Sequence, residues 1–300
     1  MHRECSFDGF YTIGPKDREG INMNGRACPT ERMENLLLAT DGSDSCRSAT
    51  VEAVELAKIC SGKLIVLAVV LTNREYEDGM PWAVDQAEKE MREKLDAIKS
   101  LASEEGVDCE IVLHRGDNPY VDIVDEAERH RANIIIMGTH RRTGARRLIM
   151  GSVTKNVIAY APCMVLIVPP GRKINYENIL VATDGSKSGT AAAAEAIAIA
   201  KRCSSILFIV SVAAFDAEAP SAENNVRQVT ELAEKEGIRK EGLVIQGKPH
   251  EAIAEISKQK HIGLIVIGSQ GKTGFMDLLK SSMTEGVIGH AESVILVVKI

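Results

Sequence analysis

Asn35-Leu-Leu-Leu-Ala-Thr-Asp-Gly-Ser43 returns as Asn178-Ile-Leu-Val-Ala-Thr-Asp-Gly-Ser186, with Asp184 standing 143 residues after Asp41. The residues that follow keep the same offset. Ala49, Ala53, Leu56, Ala57 and Cys60 match Ala192, Ala196, Ile199, Ala200 and Cys203. Each set recurs on one face of an α-helix. The apolar run before each Asp reads as a buried strand, and the pair reads as strand then helix. Further along, Pro119, Ile123 and Gly138 match Pro249, Ile253 and Gly268 at an offset of 130. The second copy is therefore about 13 residues shorter between its second strand and third helix.

The first copy reads as strands over 35–41, 63–70, 108–114, 133–138 and 163–168, with helices over 45–60, 81–105, 118–131 and 151–160. Residues 139–150 read as a loop. The second copy repeats the order, with strands near 178–184, 205–211, 241–246, 262–268 and 293–299. Such alternation predicts an α/β fold: two copies of a doubly wound, five-stranded parallel sheet covered by helices. Pro169-Pro170-Gly171 continues neither strand nor helix well. The expected division is a flexible arm over 1–33, one domain over 34–168, a linker over 169–173 and a second domain over 174–300. Segment 72–81 carries the turn signals Asp78-Gly79-Met80-Pro81. A surface loop is the preferred reading, a flap over a site the other.

Composition narrows the function. The chain has 300 residues, 45% of them apolar but only 4% aromatic, so its core must be aliphatic. Net charge is −6 and the sequence pI about 5.7, which gives no long-range attraction to nucleic acid or anionic membranes. No apolar run approaches the ~20 residues of a membrane span, and the first 30 residues carry no signal-type stretch. The seven cysteines are odd in number and widely spaced. That pattern argues against a disulfide framework and for a reducing, cytoplasmic setting, with Cys60 and Cys203 as small core residues.

Ligands on open α/β sheets bind at the carboxyl ends of the strands, where strand order reverses. In each copy this selects the end of strand one (Ala39, Thr40 and Asp41; Ala182, Thr183 and Asp184), the end of strand two, and the loop after strand four. The first such loop runs from Gly138 through Arg141 to Gly151-Ser152; the second runs from Gly268 through Gly271 to Ser281-Ser282. Small residues opening the next helix leave amides aimed outward, a setting that favours phosphate. An ordinary Ser-capped glycine turn is the competing reading. His140, Arg141, Arg142, Arg146 and Arg147 make the first loop basic, for phosphate neutralisation or as a solvated face. Asp41 and Asp184 would accept hydrogen bonds from a ligand or cap the following turn. Gly271-Lys272-Thr273 ends like a phosphate-loop motif, but Val266 stands where the leading glycine is required. Neither a metal-ligand set nor a dedicated base for a hydrolytic water is evident, so hydrolysis would be slow at most.

Asp-Gly-Ser closing strand one, Gly-x2-Gly-x9-Gly-Ser after strand four, and the final strand Pro162-Cys-Met-Val-Leu-Ile-Val168 together resemble the universal stress protein family, over 34–168 and 174–300. The resemblance implies an adenine nucleotide α-hydrolase-like fold and an ATP site (or one for AMP or ADP), with or without Mg. Asp41 and Asp184 would contact the nucleoside, beside Ala39, Thr40, Ala182 and Thr183. Val69 and Val212, closing strand two, would pack on adenine or remain plain core. Gly138, Arg141, Gly151, Ser152 and Val153, and in copy two Gly268, Gly271, Ser281 and Ser282, would hold the phosphates. Each copy departs from the pattern once: Arg141 replaces the second glycine of copy one, and Ser281 the third of copy two. Ser281 puts a hydroxyl and a Cβ where phosphate would approach the backbone, so copy one is the favoured ATP site. The family's last strands pair across a two-fold axis, which implies an intramolecular pseudo-dimer, with a further homodimer open. The expected role is a nucleotide-binding stress-response or signalling module; the alternative is an interaction module that binds no nucleotide.

Overall fold

In the computed structural model, which describes residues 28–30, 33–141, 148–269 and 283–300, the two repeats form one continuous ten-stranded sheet. The first repeat contains β1 (Asn35–Ala39), α1 (Arg47–Cys60), β2 (Lys63–Leu71), α2 (Arg74–Gly79), α3 (Pro81–Glu104), β3 (Cys109–Gly116), α4 (Pro119–Arg129) and β4 (Ile134–Gly138). It continues with the two-residue strands β5 (His140–Arg141) and β6 (Leu148–Ile149), then α5 (Ser152–Tyr160) and β7 (Met164–Val168). The second repeat contains β8 (Asn178–Ala182), α6 (Lys187–Cys203), β9 (Ile206–Ala213), α7 (Ala219–Lys235), β10 (Arg239–Gln246), α8 (Pro249–Gln259), β11 (Leu264–Gly268), α9 (Met283–His290) and β12 (Val294–Val298).

Strand order is β10-β9-β8-β11-β12-β7-β4-β1-β2-β3. Each half is parallel throughout, and β7 meets β12 antiparallel with Leu166 opposite Leu296. This is the expected doubly wound pair joined as a pseudo-dimer, with the last strand of each half hidden from solvent. Side chains alternate across the strands. Leu36 and Leu38 enter the core under α1 and α3, while Leu37 and Ala39 enter the opposite one under α4 and α5. Each of the three leucines is fully buried, contributing roughly 1.5–3 kcal/mol by removal from water. The repeat persists in local backbone strain. Ser61 and Ser204, closing α1 and α6, are both left-handed, and so are Arg131 and His261 after α4 and α8.

Three sequence expectations change. Cys60 is not a lone core residue: it forms a disulfide with Cys28, 32 residues away. The spacing gave no framework signal because the partner lies in a stretch that reads as tail. Cys203, the counterpart of Cys60, keeps a thiol packed against the core. The end of the expected arm is also packed, with Thr30 and Met33 buried; residues 1–27 and 31–32 lie outside the described residues. Within 72–81 the chain forms α2, since a turn-rich stretch can still close one helical turn before Pro81 starts α3. The linker is docked on the first repeat: the Gly171 amide donates to Ser48 Oγ at 2.8 Å, and the Ile174 amide to Glu52 Oε1 at 3.1 Å.

Candidate functional site

The switch in strand order between β1 and β4 opens a crevice of about 280 Å³ at the carboxyl ends of the first repeat's strands. Ala39, Thr40 and Asp41 form one wall, Val69 another, and Gly138, Gly151, Ser152 and Val153 a third. Eight of the residues singled out in the sequence are thus brought together. Cys46, Leu67, Leu71, Pro119, Ile123, Met137 and Thr154 complete the lining and were not singled out as site residues. Met137 and Ile123 gave a signal in hindsight, the first beside Gly138 and the second one turn into a Pro-started helix. Cys46 gave none.

The bend after β1 has a clear local cause. Gly42 takes a φ of 67°, its amide donates to Thr40 Oγ1 at 3.1 Å, and the Ser43 amide donates to Asp41 Oδ1 at 2.9 Å. The thiol of Cys46 donates to the same oxygen at 3.2 Å. One oxygen of Asp41 is therefore engaged in shaping the turn, as in the capping reading. Burial, and then the Asp41 charge, push the Cys46 thiol up to about 11, so it is a neutral group at neutral pH and no nucleophile. Gly138 has a packing role too: a Cβ there would lie 3.1 Å from Cys46 Cα.

Gly151 is different. It caps α5 in an extended conformation, and a Cβ built on it meets nothing within 4 Å among the described residues. Having no side chain, it offers no acceptor to the first amides of the helix. The first helical bond is made by the Lys155 amide to Gly151 O, so the amides of residues 152–154 open the helix without intrahelical acceptors. That end of α5 lines the crevice, with the positive end of its dipole. Arg141 lies in β5, in register with Leu148; residues 142–147, with Arg142, Arg146 and Arg147, lie outside the described residues. Among the described residues no three His, Cys, Asp or Glu side chains group as a metal site.

In the second repeat Ala182, Thr183 and Asp184 end β8 and its turn, Val212 lies near the end of β9, and Gly268 ends β11. Gly185 takes a φ of 75°, and the Ser186 amide donates to Asp184 Oδ1 at 3.0 Å, as in the first repeat. The next step diverges. Ser186 Oγ accepts from the Gly189 amide at 3.0 Å and caps α6 directly, whereas its counterpart Ser43 makes no cap and a short 3₁₀ turn, Asp44–Cys46, precedes α1. Gly271, Ser281 and Ser282 lie outside the described residues.

Against known proteins, the family model described as the universal stress protein family matches residues 33–169 and again 175–299. A universal stress protein of Methanocaldococcus jannaschii is 31% identical over 168 residues, which is 55% of this chain and 93% of that protein. The crystal structure of a universal stress protein from Archaeoglobus fulgidus superposes with a TM-score of 0.75 at 23% identity, covering 89% of this chain and 97% of the other. A functionally unknown protein from Pseudomonas aeruginosa superposes with a TM-score of 0.64 at 19% identity, covering 89% and 92%. Those two likenesses concern the fold. Among the described residues no helix is long and apolar enough to cross a membrane.

Proposed function

This chain belongs to the universal stress protein family, and we propose that its first repeat binds an adenine nucleotide as a stress-response or signalling module. The observation that carries the reading is the uncapped, glycine-led start of α5 opening into a crevice that Val69, Leu67 and Ile123 make apolar at its other side. An apolar slot for a base and a ring of outward amides for phosphate are the two halves that a nucleotide needs. The volume of about 280 Å³ suits the nucleoside, with the phosphates running toward Gly151 and Ser152. Val69 would pack on the base; Thr40 and Asp41 would meet the ribose. Mg, where present, would be held mainly by the phosphates.

The first repeat is preferred because Gly151 leaves the helix start open, where the second repeat carries Ser281 in sequence. The second reading, an interaction module without nucleotide, draws on the use of Asp41 Oδ1 by Ser43 and Cys46.

Titrating ATP by calorimetry into the protein and its Gly151→Ala and Gly271→Ala variants tests both parts. Because nothing among the described residues stands within 4 Å of a Cβ at Gly151, that variant should keep its fold. Its added methyl should weaken ATP at least about tenfold, the cost of one spoiled charge-assisted hydrogen bond. A larger loss in Gly271→Ala reverses the assignment of repeats. No heat and no released nucleotide by mass spectrometry removes the nucleotide reading.

A further inference from the structure

We propose that the second repeat carries a separate site for a small phosphate-bearing anion at the amino ends of its strands, opposite the nucleotide crevice. A cavity of about 460 Å³ opens there between the linker, the end of α8 and the end of α9. This lies within the ~300–1,000 Å³ typical of small-molecule sites. Arg172 and Lys173 enter from the linker, Lys258 and His261 from the close of α8, and His290 from the close of α9. One carboxylate, Glu292, faces these cations, and it is already taken by Arg172. Among the described residues, Lys173, Lys258 and His261 have no carboxylate partner. Such a concentration of positive charge runs against the net −6 of the chain.

Cations at helix C-termini ordinarily answer the helix dipole, but here much of that work is done by backbone groups. Ile262, Lys260 and His261 amides bond the Ser257, Ile256 and Lys258 carbonyls, and the Ala291 amide bonds that of Val287. Asn178 Nδ2 takes the Lys260 carbonyl at 2.8 Å. Lys173 belongs to neither helix.

His290 lines one side of the pocket with its ring packed on that of His250, 4.9 Å between centroids. His290 Nδ1 is 2.6 Å from Gly286 O and so carries its proton toward it, while His290 Nε2 is buried with no partner among the described residues. The first repeat lacks most of this: the positions of Lys258, His290, Glu292 and Ser293 are held there by Glu128, Tyr160, Pro162 and Cys163, although Arg131 stands at the position of His261.

The test titrates inorganic pyrophosphate and, separately, ribose 5-phosphate into the full chain and three variants, Lys258→Glu, Lys173→Glu and Gly151→Ala. Lys258 and Lys173 are exposed, so these reversals leave the fold intact. At least one probe should bind, weakened about tenfold or more by each Lys→Glu change and unchanged by Gly151→Ala. The two probes separate an inorganic polyanion from an organic phosphate ester. No binding of either at millimolar concentration overturns the proposal, as does binding indifferent to Lys258→Glu. A loss in Gly151→Ala as large as that in Lys258→Glu also overturns it, because the probe would then sit in the crevice. ATP affinity in Lys258→Glu reads the two sites apart: it should stay at the wild-type value, and a loss as large as that of the probe overturns a site separate from the crevice.

Discussion

Ser43 and Ser186 hold the same position in the two repeats, 143 residues apart, yet they do different work. Ser186 caps α6, and the helix starts at Lys187. Ser43 makes no cap, its hydroxyl is buried without a partner among the described residues, and a 3₁₀ turn delays α1 until Arg47. Three residues on, Cys46 bonds Asp41 and lines the crevice, where the second repeat has Gly189. The cores of the two halves have kept their register while the ends of the strands have diverged. Burial explains this. A strand residue such as Leu36 or Ile179 is fixed by contacts on every side, while a residue at a strand end answers to whatever that end binds.

The sharpest way to test this comparison is at the glycines closing the fourth strand of each repeat. A Cβ on Gly268 would stand 2.6 Å from the Ser188 carbonyl carbon, whereas one on Gly138 would stand 3.1 Å from Cys46 Cα. Gly268→Ala should cost about 2–3 kcal/mol in denaturant unfolding and Gly138→Ala about 1 kcal/mol or less. Equal costs would show that the two strand ends pack alike. Caps come next. Ser186→Ala should lose about 1 kcal/mol, while Ser43→Ala should be neutral or slightly stabilising. A loss at Ser43 would mean that its hydroxyl has a partner after all. The smallest effect lies on the seam. Lys155 and Glu285 are equivalent residues, 130 apart, that meet across the pseudo-two-fold axis at 3.0 Å. Lys155→Glu should cost up to about 1 kcal/mol, and the double exchange with Glu285→Lys should recover it.

Most of the architecture was legible because the chain states it twice. A motif returning with its helix face intact fixes strand, helix and period together, and the loss of 13 residues localises the one place where the copies differ in length. The crevice was legible in outline, since the strand-end rule picked Ala39, Thr40, Asp41, Val69 and Gly138 before any contact was known. Their packing was not. That Asp41 shapes its own turn and that Gly138 makes room for Cys46 depend on how β4 lies against the chain leaving β1. The Cys28–Cys60 disulfide was hidden because its first half sits outside the repeat. The basic pocket was hidden because Lys173, Lys258 and His290 come together only when the linker folds beneath two helix ends.

The Lys155–Glu285 contact joins equivalent positions with opposite charges. Were the halves separate, identical subunits, that position would meet itself, acid against acid or base against base. Covalent fusion fixes the stoichiometry at one of each, and with it abolishes the demand that a surface be compatible with its own copy. The same licence covers Lys299, whose ammonium reaches the Ile158 and Ala159 carbonyls of the other half at 2.9 and 2.8 Å while Pro169 stands at its mirror position. Broken symmetry of this kind leaves one half at liberty to keep an ancestral ligand while its twin acquires another.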